Sequence, residues 1–400
     1  MPNPNQRPVR RRPLLLALVG SGAALTGVGV AARTGLLPEG DGDDRADGVL
    51  RLAGSDPTMP ALDLPLTDDL LQPQGTRQWT TGRLDTTTFT MVGATWRHGE
   101  VEPVVEVSTR VDGAWQSWQP LPHVHLPVDG AEAASGAARD GTDVAWTGPA
   151  DGVRVRVRGQ RPADLQLVLL HPEPLPADTA VGAAGTSRVT AGSRSRTDPL
   201  RPEFLGRRHW GAKERWRNGG PSYNATIKQV HVHHTANSNS YSRKDVPAMI
   251  RGMYRYHTKS LGWSDIGYNF LVDKFGRIWV GRAGGPRKAV RGAHTLGFNG
   301  KSTGVAVIGN FETAVPSNQV LNALARIAAW KLHMYGRNPR GRVRVVSEGS
   351  DRFRDGRRVE LPVIDGHRDT NQTACPGKHL YHALPKVRRR AKRRIARLAT

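Results

Sequence analysis

Between about residues 76 and 174, apolar and polar positions alternate one for one. Val105, Val107 and Thr109 interleave with Glu106, Ser108 and Arg110. Val153, Val155 and Val157 interleave with Arg154, Arg156 and Arg158, and Leu165, Leu167 and Leu169 face away from Gln166 and Val168. A period of two buries one face of a strand and wets the other. Asp112-Gly113 adds a hairpin signal, since both residue types tolerate positive φ. Several short strands separated by turns predict an antiparallel β-sandwich-like domain over 76–175. Trp96, Trp115 and Trp118 read as core anchors of that sandwich rather than as a sugar-stacking face, because large aromatics dominate interior packing.

From Phe204 the pattern becomes mixed. Asp245 to His257 places Ile250, Met253, Tyr254 and His257 on one helical face, with Pro247 tolerated in the first turn. Segments 266–272 and 277–280 read as strands around a turn at Asp273–Gly276. The apolar run TGVAVIGNF from Thr303 reads as a buried strand. Ser317 is an N-cap for a helix through Leu332 that Gly336 ends. A mixed α/β domain over 204–384 follows from this. Between the two domains, residues 176–203 are rich in Ala, Gly, Ser and Thr and read as a flexible linker, and no lysine precedes Lys213. Residues 33–75 are acidic and Pro/Gly-rich and read as an irregular lead-in. The stretch 385–400 is a very basic tail with Val387, Ala391 and Ile395 on one helical stripe.

Charge changes the picture less than the first residues do. A net charge of +23 over 400 residues suits a polyanionic partner, whether nucleic acid, anionic membrane or anionic wall polymer. The basic start, the uncharged run from Leu14 to Ala32 and the small residues that follow have the layout of an export signal over 1–32. Arg11-Arg12 loosely matches a twin-arginine motif. An uncleaved anchor is the alternative, but Gly, Ser and Thr dilute the run. Both place the rest of the chain outside the cytoplasm. A secreted or cell-envelope location makes nucleic acid an unexpected partner.

The chain has a single cysteine, Cys375, in the polar stretch GHRDTNQTACPG. It has no intramolecular disulfide partner, and it does not lie in an apolar run of the kind that buries inert thiols. A second histidine-rich stretch, VHVHHTAN at 230–237, puts His231 and His233 on one side of a strand and His234 on the other. One of these histidines with His367 and Cys375 makes a His₂Cys set. Zinc takes such ligands tetrahedrally, and catalytic sites keep a fourth position for water. Ordinary hydrogen-bonded histidines and a packed cysteine remain the alternative at this level, and spacing does not choose between His231 and His233.

Six motifs occur in order: RRHWGA, VHVHHTA, YHTKSLGWSDIGYNFLVDKFGRIWVGR, GAHTLGFN, TGVAVIGNF and GHRDTNQTACPG. Residues 204–384 thereby resemble the peptidoglycan recognition protein family, the type 2 zinc N-acetylmuramoyl-L-alanine amidases. The resemblance implies a mixed sheet flanked by helices and a zinc site in a peptidoglycan-binding cleft. By position it implies His233, His367 and Cys375 as metal ligands, and Tyr268 and Thr373 as catalytic residues. It also implies His294, Asn299 and His234 beside the substrate, with Trp263 and Asp265 supporting the turn before Tyr268. Members that only bind peptidoglycan typically lack the cysteine, which is present here. The arrangement with a β-rich domain in front resembles longer amidases of high-GC Gram-positive bacteria.

The expected activity is hydrolysis of the amide between the lactyl group of N-acetylmuramic acid and L-alanine. The rival is a recognition protein without turnover. Peptidoglycan is the expected partner, and anionic wall polymers are a further one through the basic tail. An arginine-rich insertion at 338–359 reads either as a hairpin on the cleft rim or as a solvated loop.

Overall fold

The alternating region forms an antiparallel sheet. Its main strands are β1 (Ala61–Pro65), β2 (Leu84–Arg97), β3 (Val104–Val111), β4 (Ala145–Arg158) and β5 (Gln166–Leu170). They run in the order β1-β5-β2-β4. Strand β4 is shared between partners: Ala145 to Val153 lie along β2, and Gly152 to Arg158 along β3. That change of partner curls the sheet around a core of Phe89, Trp96, Val105, Val155 and Leu167. The turn after β3 takes Asp112 and Gly113 through φ of 49° and 74°, the conformation a two-residue hairpin requires. This computed structural model describes residues 48–99, 101–124, 138–183 and 198–398. The expected export signal and residues 184–197 of the expected linker lie outside them.

A second sheet follows the domain change. Its strands are β6 (Gln229–His234), β7 (Phe270–Val272), β8 (Ile278–Val280), β9 (Ser302–Val307) and, after a hairpin of β10 (Arg342–Val346) and β11 (Arg358–Pro362), β12 (Ile364–Gly366). The order is β8-β7-β9-β6-β12. Only the β7–β8 pair is antiparallel, closed by the turn in which Gly276 N–H donates to the Asp273 carbonyl at 2.9 Å. Helices α1 (Pro176–Ala183), α2 (Val246–Arg255), α3 (Asn318–Met334) and α4 (Lys378–Leu398) complete the described fold. Ser317 caps α3, accepting from Val320 N–H at 3.3 Å, and Gly336 follows it at φ +64°. No helix among the described residues is long and apolar enough to cross a membrane.

Four expectations are corrected. Part of the lead-in is sheet, since β1 pairs with β5. The start of the expected linker is α1, whose Asp178 is buried against α2. The basic tail does not begin at 385, because α4 passes through that position and buries Val387 and Ala391 against the core that includes α3. Of the three tryptophans, Trp96 is core, but Trp115 and Trp118 lie on the half-buried face. Arg154 lies 4.5 Å from the centroid of the Trp115 ring, and Arg156 lies 4.4 Å from that of Trp118. Cation–π contact replaces burial there.

The two sheets belong to one body, and β5 shows why. Leu167 and Leu169 fill the sandwich core, while Val168 and Leu170 on the other face pack with Met249, Met253 and Tyr256. The approach is close: a Cβ on Gly252 of α2 would stand 2.1 Å from the Met91 sulfur, and one on Gly93 would stand 2.8 Å from the Tyr256 ring. The Tyr256 hydroxyl donates to the Ala94 carbonyl at 2.9 Å. Arg251 of α2 donates to both Asp178 oxygens at 2.9 and 2.7 Å, and to the carbonyls of Trp210 and Glu173.

Candidate metal centre and active site

Strand β6 lies between β9 and β12 and all of its residues are buried. His231 is committed inside the sheet, its Nδ1 2.6 Å from Asp365 Oδ1, with both side chains at 0% exposure. His233, two residues on, reaches the end of the strand on the same face. The parallel register sets Val232 opposite Gly366, so His367 leaves β12 beside His233. Their ring centroids are 4.7 Å apart.

Cys375 returns to this point through a loop tied at both ends. Arg368 N–H donates to the Cys375 carbonyl at 2.9 Å, and Cys375 N–H donates to Thr373 Oγ1 at 3.1 Å. Cys375 Sγ accepts from His234 N–H at 3.4 Å and lies 3.7 Å from His233 Nδ1. One ligand atom from each of His233, His367 and Cys375 falls within 4.8 Å of the others. A tetrahedral zinc with ordinary N and S bond lengths separates those two atom types by about 3.6 Å. The donor set and its spacing therefore fit zinc.

Electrostatics support a neutral imidazole at His233. Burial, then the charges of His367 and His294, hold it well below the usual histidine range. For Nδ1 to offer its lone pair, the ring proton sits on Nε2, which lies 3.2 Å from His294 Nδ1 and 3.3 Å from Thr295 Oγ1. A histidine ligand oriented through its other nitrogen is the usual arrangement of metal sites. Burial pushes the Cys375 thiol up, so in the absence of metal it keeps its proton.

Tyr268 flanks the centre, its ring centroid 5.5 Å from that of His233. Burial, with the charge of Asp143 and then Cys375, raises its hydroxyl well above the usual range. It is thus a hydrogen-bond donor rather than a base. The loop before it is firmly held. His257 stacks on Trp263 at 4.5 Å and accepts from Gly267 N–H, while Asp265 accepts from Ile266 N–H and Ala283 N–H.

The three residues expected beside the substrate, His294, Asn299 and His234, are all buried. Asn299 is 0% exposed, and its Oδ1 accepts from the N–H groups of His294 and Thr295. It shapes the loop from within. His294 packs beside His233, against Gly292 and Gly304, with its Nδ1 3.2 Å from His233 Nε2. His234 turns to the other face, where Nδ1 accepts from Phe311 N–H at 3.2 Å.

The 338–359 insertion is a hairpin, and its tip braces the ligand loop. Asp351 accepts from Asn371 Nδ2 at 2.9 Å and Gln372 N–H at 2.8 Å, and Ser350 Oγ donates to the Thr370 carbonyl at 2.9 Å. These partners lie between His367 and Cys375. Asp351→Ala is expected to weaken zinc affinity on the order of tenfold, the scale of outer-shell changes. A competition titration against a chromophoric chelator measures it, and unchanged affinity would show the brace to be dispensable.

Comparison with known proteins agrees with this architecture. Residues 223–378 match the family described as N-acetylmuramoyl-L-alanine amidase, and residues 53–189 match the Rv3811 N-terminal galactose-binding domain-like family. Peptidoglycan-recognition protein SC2 of Drosophila simulans is 30% identical over 153 residues, 38% of this chain and 70% of that protein. Peptidoglycan-recognition protein SA of Drosophila melanogaster is 35% identical over 143 residues, 35% of this chain and 67% of that protein. The crystal structure of Drosophila peptidoglycan recognition protein SD covers 46% of this chain and 94% of its own, at 25% identity and a TM-score of 0.37. The chain belongs to the peptidoglycan recognition protein and N-acetylmuramoyl-L-alanine amidase family, with a galactose-binding-like domain in front of its amidase domain.

Proposed function

We propose that this protein is an exported zinc hydrolase that cleaves the amide between the lactyl group of N-acetylmuramic acid and the L-alanine of peptidoglycan stem peptides. The observation that carries the reading is the convergence of His233, His367 and Cys375 beside the protonated hydroxyl of Tyr268. The family description and the relatives named for peptidoglycan recognition give the substrate class.

His233, His367 and Cys375 would hold the metal. Zinc bound there supplies an acidified water and polarises the scissile carbonyl. His294 and Thr295 fix the His233 ring. Tyr268 donates a hydrogen bond to the oxygen on which negative charge develops, where a preorganised donor acts most strongly. Thr373, expected as a catalytic residue, also accepts from Cys375 N–H through Oγ1, a contact that supports a part in positioning the ligand loop. The basic α4 offers contacts to anionic wall polymers on the arginines that flank its buried stripe.

The test is incubation of purified full-length protein and zinc with a muramyl peptide. Mass spectrometry should find a new free L-alanine amine, and chelation should abolish it. Tyr268→Phe is expected to lower kcat by roughly 10²-fold, the scale of one oxyanion donor, with zinc retained. Tight retention on peptidoglycan without cleavage would instead establish the recognition reading.

A further inference from the structure

The β10–β11 hairpin is two-faced by its sequence. Val343 and Val345 of β10 alternate with Arg342 and Arg344, and the register sets the two valines opposite Leu361 and Val359 of β11. This apolar face closes on Phe298 and Phe353, whose rings meet edge to face at 6.0 Å. The period of two then commits the other face to solvent. It carries Arg342, Arg344 and Arg358 around one carboxylate, Glu360, which lies 3.2 Å from Arg342 Nε and 3.8 Å from Arg344 Nε.

The tip extends the charge. Arg354, Arg357 and Arg358 border an open cavity of about 470 Å³, and their guanidinium groups make no ion pair among the described residues. Asp355 is the carboxylate of that lining, and it serves its own turn, accepting from Gly356 N–H at 2.9 Å. Charged side chains guard exposed strand edges in general. Here Arg342, Arg344, Arg354, Arg357 and Arg358 outnumber Glu360 and Asp355 and leave a cationic surface. The guanidinium fork matches a carboxylate through two parallel hydrogen bonds. The tip also touches both loops of the candidate metal centre. Glu348 N–H donates to the Gly297 carbonyl at 2.8 Å, in the loop that carries His294 and Thr295. The Arg352 guanidinium donates to the carbonyl of Arg368, the residue after His367.

We propose that the outward face of this hairpin is a second docking surface for the substrate polymer, taking the carboxylates of stem peptides that neighbour the one at the candidate metal centre. The proposal rests on the peptidoglycan reading above, and not on turnover. A peptide chain ends in a carboxylate, so a glycan strand presents such groups in series, as the hairpin presents its arginines in series. Arg354, Arg357 and Arg358 give up no internal ion pair when an anion arrives. A soluble muramyl peptide with a single stem fills the centre and gains nothing from the hairpin. The surface therefore lowers KM for the polymer and leaves kcat alone, as binding shared by ground state and transition state does.

The experiment compares zinc-loaded full-length wild type with the triple variant Arg354→Gln, Arg357→Gln, Arg358→Gln. Sedimentation with purified sacculi stripped of phosphate-containing polymers should show an affinity about tenfold lower for the variant, the sum of several exposed charge contacts. On sacculi whose carboxyl groups have been amidated, wild type should fall to the level of the variant. On a soluble single-stem muramyl peptide, kcat and KM of the two proteins should agree within about twofold. Equal affinity of the two proteins for the stripped sacculi would overturn the proposal. So would a difference seen only on sacculi that keep their phosphate polymers, which would assign the face to a phosphodiester chain. A tenfold loss on the soluble peptide would also overturn it, because the arginines would then belong to the centre itself. Wild type that sediments with sacculi but does not cleave the soluble peptide would overturn the hydrolase reading alone, since sedimentation needs no turnover. Wild type that does neither would overturn both.

Discussion

Cys375→Ala is expected to leave a folded protein with neither zinc nor amidase activity. The loss should exceed the roughly 100-fold ceiling of outer-shell changes, because a ligand itself is removed. The reason is local. His233 and His367 come from neighbouring parallel strand ends and would stay in place, but the third corner of the site is supplied only by the loop that ends at Cys375. Metal analysis of the dialysed variant and product detection by mass spectrometry are the two measurements. A variant that keeps stoichiometric zinc and turnover would remove Cys375 from the centre. Cys375→Ser, which keeps a polar atom of similar size, should lose nearly as much, since a hydroxyl does not ionise as a thiol does.

Arg251→Ala is expected to be among the most destabilising single changes away from the centre. The guanidinium is 1% exposed and Asp178 is 3% exposed, so truncation strands a buried carboxylate. Breaking a buried pair in this way costs about 3–5 kcal/mol. In a body of this size that lowers the melting temperature by roughly 4–8 °C. Replacing both partners, as in Arg251→Met with Asp178→Leu, should recover much of the loss, because no charge is then left unpaired. A single-variant melting temperature within about 2 °C of wild type would show that water reaches the pair.

Local signals in the chain were read well. Ser317 and Gly336 bound a helix, Asp112-Gly113 makes its hairpin, and the run from Thr303 is a buried strand. The candidate metal set was legible as a residue class, but His231 and His233 share a strand face. Spacing left them equivalent, the resemblance pointed to His233, and in the fold Asp365 on the neighbouring strand engages His231. Features that depend on distant partners were not legible. Val168 looks like the outward position of a half-wet strand until α2 covers it. Residues 176–183 have a weak helical pattern, and tertiary contact through Asp178 holds them. Trp115 and Trp118 have the composition of core residues, yet arginines from β4 cover them.

Because β5 is buried on both faces, the two domains share one interior. The low-complexity stretch after α1 looks like a natural cutting point between exchangeable modules. Severing it would leave Val168 and Leu170 on one half and Met249 and Met253 on the other, each facing water. Within this chain the two halves are therefore expected to fold as a pair. An amidase fragment freed of its leading domain should precipitate before it can be assayed.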